Sequence, residues 1–207
     1  MPRSSDSLNT PKPFLLVTAA TLLLLRTLLA QASPYRPLDV HSCPAADSAL
    51  GPVGDDTKAH VRVHYSPARD STGLTTGFEE GHPFPHLSFE THFAGRRPAQ
   101  LPAAVLILFL RGDVAKDIQA SPAAPTVSIE LDDSATVELT PVLKGRFLGA
   151  GPIKLPVSAL LLPDNLLRVA RASKVTVHAG DATVRLTEAD HRDVRAFYRA
   201  VACPETW

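Results

Sequence analysis

From His60 onward the chain alternates apolar and polar residues with the two-residue period of half-buried strands. His60-Val61-Arg62-Val63-His64-Tyr65 alternates in this way. So does His86 to Phe93, with Leu87, Phe89 and Phe93 on one face and His86, Ser88, Glu90 and His92 on the other. Ala103 to Leu110 is instead short and continuously apolar, the pattern of a central strand covered on both faces. Val127–Leu131 and Thr136–Leu139 flank the turn-forming Asp132-Asp133-Ser134, and Val175–His178 and Thr183–Leu186 flank Gly180-Asp181. Each pair predicts a hairpin. Ile153–Val157 predicts an edge strand, because Pro156 lacks the N–H that a second neighbour needs.

Two stretches switch to a helical period. A short helix is predicted from near Asp164 to Ala172, and a longer one from Glu188 to Ala202. In the longer one Val194, Phe197, Tyr198 and Val201 share a face, and Thr187 with Asp190 forms a variant capping box. Arg192, Arg195 and Arg199 form the opposite stripe, which is predicted to face solvent. Ser66 to Pro85, with Gly73, Gly77, Gly81, Pro83 and Pro85, reads as a long loop. Arg111-Gly112-Asp113 reads as a turn, and Gly145, Gly149 and Gly151 as a loop without a phosphate-binding signature. The pattern predicts an α+β fold, mostly antiparallel β and sandwich-like, with a C-terminal amphipathic helix packed on the sheet.

The first 32 residues stand apart. Arg3 and Lys12 precede the apolar run Phe14 to Leu25, and Ala30-Gln31-Ala32 ends in a signal-peptidase pattern with cleavage after Ala32. An uncleaved membrane anchor is the alternative. The run is shorter than the ~20 residues a span needs, and Arg26 interrupts it. The domain organisation expected is a signal peptide at 1–32, an extended lead-in at 33–59 and one β-rich domain at 60–207, with no stable membrane span after cleavage. Two cysteines in an exported chain read as a disulfide, Cys43 to Cys203, and a periplasmic or secreted location follows.

Composition narrows the function classes. Lys+Arg and Asp+Glu are both 21, so no basic excess favours nucleic acid or an anionic membrane surface. The 19 prolines fall mostly between the apolar runs, which argues against a helical bundle. The unusual chemical resource is histidine, eight in all. If the two histidine-bearing strands pair, His60 and His64 meet Glu90 and His92 across the ladder, a donor set that suits zinc, copper or nickel. No HExxH or HxH accompanies them, and an ordinary solvated face explains the same pattern. No GxSxG is present. The acid pairs Glu79-Glu80 and Asp132-Asp133 sit in a Gly/Pro loop and a hairpin turn, with no sign of a cleft between facing carboxyls.

From Ile153 to Ala202 a strand, a short helix with Leu166, Leu167 and Val169, a hairpin and a final helix with Val194, Arg195, Phe197 and Tyr198 follow one another. This order resembles the ends of several uncharacterised bacterial exported domains, a resemblance that implies no known activity. The expectation is an exported, non-catalytic binding or interaction module for an unknown protein or small ligand, without a cofactor. The alternatives are a periplasmic metal-binding protein using His60, His64, Glu90 and His92, and a hydrolase with a dispersed site. Ser66 to Pro85 and the neighbouring strand faces are the first surface to consider for binding.

Overall fold

A computed structural model describes residues 36–38, 41–76, 86–121, 123, 125–132, 135–144 and 154–203. The signal-peptide reading of 1–32, the pair Glu79-Glu80 and the glycines 145, 149 and 151 lie outside the described residues. The strands are β1 (Arg36–Pro37), β2 (Arg62–Ser66), β3 (Ser71–Thr75), β4 (Leu87–Ala94), β5 (Ala104–Arg111), β6 (Val127–Leu131), β7 (Ala135–Lys144), β8 (Lys154–Leu161), β9 (Val175–Ala179) and β10 (Ala182–Arg185). The helices are α1 (Pro44–Leu50), α2 (Gly112–Ala120), α3 (Pro163–Arg171) and α4 (Glu188–Ala202), with a 3-10 turn at Gly54–Lys58. No helix among the described residues is long and apolar enough to cross a membrane.

All ten strands join one antiparallel sheet in the order β1-β2-β3-β4-β5-β8-β7-β6-β9-β10. Both predicted hairpins form, β6 with β7 and β9 with β10. The pleat sends Leu87 and Phe89, Leu106 and Leu108, Val157 and Ala159, and Ile129 and Val177 to one face, where the register sets them beside each other. They share a single core with Leu166 and Val169 of α3 and Val194, Phe197 and Val201 of α4. Phe89 meets Phe197 with ring centroids 6.2 Å apart. Burying each such side chain is worth about 1.5–3 kcal/mol. The strands pair in one continuous order across ten strands. Helices supply the second layer, because their apolar stripes offer the sheet a partner face.

The opposite face carries no described helix. Val105, Ile107 and Phe109 of β5 point there and are half-buried, so the central strand is fully covered on one face only. β8 is an interior strand, not an edge, between β5 and β7. Pro156 is tolerated there for a local reason. Its partner Phe109 turns its own N–H to the His86 carbonyl on β4 (3.0 Å), so Phe109 and Pro156 form a non-hydrogen-bonded pair. Pro156 then faces the β7 side, where the described pairing runs to Val157. Pro141 sits at the irregularity where β7 passes from pairing with β6 to pairing with β8.

Three further expectations change. Within the predicted loop 66–85, residues 71–75 form β3, an interior strand between β2 and β4. Leu74 is its one strongly apolar residue. Its buried threonines are satisfied locally: the Thr72 hydroxyl donates to the Gly95 carbonyl (2.6 Å), and Thr75 Oγ1 lies 3.3 Å from Ser88 Oγ. Arg111-Gly112-Asp113 is not a simple turn but the junction of β5 and α2, where Gly112 takes φ +66°. Within the expected lead-in 33–59, Arg36–Pro37 form the strand β1, and Pro44–Leu50 and Gly54–Lys58 fold as α1 and the 3-10 turn.

Candidate functional site

The four predicted metal ligands do not converge as expected. β2 and β4 do not pair, because β3 lies between them. His64 and His92 both register with Gly73, one on each side of it. Two strand spacings separate their backbones, about 9.5 Å. Glu90 lies on the same face, opposite Thr75 and Val105. Burial raises its carboxyl above the usual range, with His92 and a bond from Thr75 offsetting part of the rise. His60 is elsewhere. It precedes β2, its amide donates to Asp193 Oδ1 (2.8 Å), and its Nδ1 lies 3.6 Å from the same oxygen. Among the described residues no three His, Cys, Asp or Glu side chains are grouped to hold a metal ion.

The arginine stripe of α4 is where the structure departs furthest from the sequence pattern. Arg199 is not solvated but 1% exposed. Its Nε donates to Asp56 Oδ2 (3.2 Å) and one terminal nitrogen donates to Asp47. The other terminal nitrogen donates to the carbonyls of Gly51 (2.6 Å) and Pro52 (3.2 Å). Arg195 Nε reaches the same Asp56 oxygen (3.2 Å), and its Nη2 donates to the Leu50 carbonyl (3.4 Å). Asp56 is itself buried. Asp47 also accepts from the Ser42 hydroxyl and the Cys43 amide, and the Ser42 bond leads in holding its carboxyl below the usual range. Residues 42–58 thus form a strap along α4. The Cys43–Cys203 disulfide closes it: Cys43 is the N-cap of α1 and Cys203 the C-cap of α4.

Arg192, one turn earlier, is different. Its Nε has no hydrogen-bond partner among the described residues and is shielded from water, and its guanidinium acts electrostatically on Asp55 and Asp193. It lines a cleft of about 360 Å³ between the 3-10 turn, the residues after α3 and the first half of α4. Asp55, Ser173, Glu188 and His191 line it as well. Burial lowers the His191 imidazole below its usual range, only partly offset by Asp190. The strap and α4 therefore hold together a cleft with charged groups of both signs and an imidazole.

Behind this wall α4 is anchored to the sheet by two carboxylates. Asp190 Oδ2 lies 3.0 Å from His86 Nε2 and accepts from the Thr187 amide and hydroxyl, completing the predicted capping box. Burial pushes both carboxyls up, with opposite outcomes. At Asp190 the bonds from His86 and Thr187 outweigh burial and hold the group below the usual 3.8. At Asp193 the His60 amide and ring offset burial only in part, and the group stays above 3.8. The folded state therefore binds a proton on Asp193 more readily than the unfolded chain does. Stability gained there appears as pH falls from neutral through the raised value. Asp190 contributes stability above pH 3.8 that is lost as pH falls through its lowered value. Glu90 acts in the direction of Asp193, and Asp47 and Asp132 in that of Asp190. Asp193→Asn is expected to flatten the pH dependence of Tm above 3.8, and Asp190→Asn to flatten it below. Melting curves from pH 2.5 to 7 check this, and wild-type profiles in both variants would contradict it.

Compared with models of protein families, with curated proteins and with solved structures, the chain finds no match.

Proposed function

We propose that this chain is an exported, non-catalytic binding module that takes a small polar ligand in the cleft beside Arg192. The carrying observation is the cleft itself, lined by Asp55, Glu188, His191 and Arg192 between the 3-10 turn and α4. The cleft volume of about 360 Å³ falls within the ~300–1,000 Å³ of small-molecule sites. Export is supported by the signal-like residues 1–32 and by the disulfide, which suits the periplasm or the extracellular space.

The test is a thermal-shift panel of carboxylic acids, amines, amino acids, sugars and phosphates on the oxidised protein. At least one compound is expected to raise Tm by several degrees in the wild type and to leave Arg192→Met unmoved. A panel with no shift, or with equal shifts in the two proteins, contradicts the reading. Intact mass of the exported protein is expected to show a chain beginning at Ser33, and a retained N-terminus would contradict signal cleavage.

A further inference from the structure

We infer that a second pocket, between α2 and the β9–β10 turn, binds a small organic ammonium with an apolar body. It shares no described lining residue with the cleft beside Arg192 and goes beyond the reading of that cleft. Its shape starts from the sequence. Val114, Asp117 and Ile118 are spaced three and four apart on α2 and so share one helix face. Ile118 turns into the core, whereas Val114 stays 38% exposed at the pocket. Ala123 and Pro125 continue this apolar surface beyond the end of the helix. The β9–β10 turn borders the other side. Gly180 takes φ +57° there, and its amide donates to the Thr126 carbonyl (3.0 Å). A Cβ at Gly180 would already touch Pro125 Cβ (3.7 Å) and Ile118 Cδ1 (3.9 Å), so the turn is held against the apolar floor. Asp181, next in the chain, thereby becomes a lining residue.

The result is a concavity of about 250 Å³ with an apolar floor and two carboxylates, Asp117 from the helix and Asp181 from the turn. Both acids are exposed, so an incoming molecule can reach them. No Lys, Arg or His is among the described lining residues. The adjacent cation on α2, Lys116, is bonded to Asp113 Oδ1 (2.8 Å), and Asp117 also acts on it electrostatically. The volume lies just below the ~300 Å³ at which drug-sized sites begin, so it suits a fragment-sized molecule. A carboxylate or phosphate meets two like charges in this pocket. A neutral apolar molecule covers the floor but gains nothing from the acids. A methylated or bare ammonium meets the acids but leaves the floor wet. An ammonium on a short apolar stem satisfies both. Because the acids are exposed, each ion pair changes affinity by only a few-fold, and burial of the stem supplies the rest.

An amide-shift NMR titration of the oxidised full chain at pH 7 and low salt tests this. The probes are 2-phenylethylammonium, its neutral counterpart 2-phenylethanol, the anion phenylacetate, and methylammonium as the cation without a stem. The phenylethylammonium is expected to bind about five-fold or more tighter than each of the other three, less so as salt rises. Its largest shifts are expected at Asp117, Ser121, Gly180 and Asp181. Asp117→Asn and Asp181→Asn are each expected to weaken it about three-fold and to leave 2-phenylethanol unchanged. Asp164→Asn removes an exposed carboxylate in the first turn of α3, outside the pocket lining, and is expected to change nothing. Val114→Lys places a cation at the floor and is expected to abolish binding of the ammonium. All four positions are exposed, so the variants are expected to keep the wild-type Tm. Equal affinity for the ammonium and the alcohol, or ammonium binding unchanged in both pocket Asp→Asn variants, would overturn the inference. No saturable binding of the ammonium, or shifts confined to other residues, would overturn it as well.

Discussion

Arg199→Met is expected to lower stability by about 3–5 kcal/mol, the cost of breaking a buried ion pair from one side. The guanidinium is almost wholly enclosed and serves two carboxylates and two carbonyls. Methionine keeps most of the aliphatic stem but supplies no donor. Asp56 is then left buried with Arg195 as its remaining cation, and the Gly51 and Pro52 carbonyls lose the bonds Arg199 makes to them. For a domain of this size Tm falls on the order of 10 °C. The matched comparison is Arg192→Met on the same helix. It removes a side chain without hydrogen bonds among the described residues and is expected to stay within about 0.5 kcal/mol of wild type. Equal losses in the two variants, measured by denaturant unfolding, would contradict the assignment of Arg199 as the clamp.

Removing the clasp is expected to cost a comparable amount. The disulfide joins residues 160 positions apart, so opening it restores a large share of the unfolded chain's freedom. Cys43→Ala with Cys203→Ala is expected to lose about 2–5 kcal/mol. Added reductant is expected to lower the unfolding midpoint of the wild type and leave the double variant unchanged. Two alkylatable thiols in the native protein would contradict the bridge. Clasp and clamp hold the same strap, so their losses are expected to fall short of additivity. Once the strap has detached in one variant, the second change has less left to release.

The legible parts of the fold were those whose signal is local. α4 is found at the predicted residues, 188–202, because its cap, its apolar stripe and its end all lie within one stretch. The two hairpins were equally local, each a short turn between alternating runs. β3 was hidden because its inward residues are threonines and a glycine as well as Leu74, and their hydroxyls are satisfied by neighbouring strands that the chain pattern does not display. β8 looked like an edge because a proline's missing donor reads the same in an interior strand as at an edge. The extra information was the register, in which β8 pairs with β5 on one side and β7 on the other.

The site was less legible than the fold, and for a definite reason. The period of α4 put Arg192, Arg195 and Arg199 on one side and called for water there. That holds for a helix on the surface of a two-layer domain. It failed for Arg199 because a third element, the strap, lies on that side. Its acids are 143 and 152 positions away in sequence, beyond the reach of any periodicity. One signal did point to it. Cys43 and Cys203 tie the region of Asp47, Asp55 and Asp56 to the end of the helix that bears the stripe, so acids and arginines are brought side by side by the bridge. The histidine pattern had the reverse fate. His64, Glu90 and His92 do share a face, yet the intervening β3 and the different setting of His60 keep the four from forming one donor set.

The claim on which the rest depends is that the strap is held on α4 by Arg199 and so builds one wall of the cleft. A double-mutant cycle between Asp56→Asn and Arg199→Met tests it directly, because the two residues meet only if the strap docks as described. The account predicts a coupling energy of about 1–3 kcal/mol in denaturant unfolding. Losses that add within about 0.5 kcal/mol would mean that the two side chains act independently, and would contradict it.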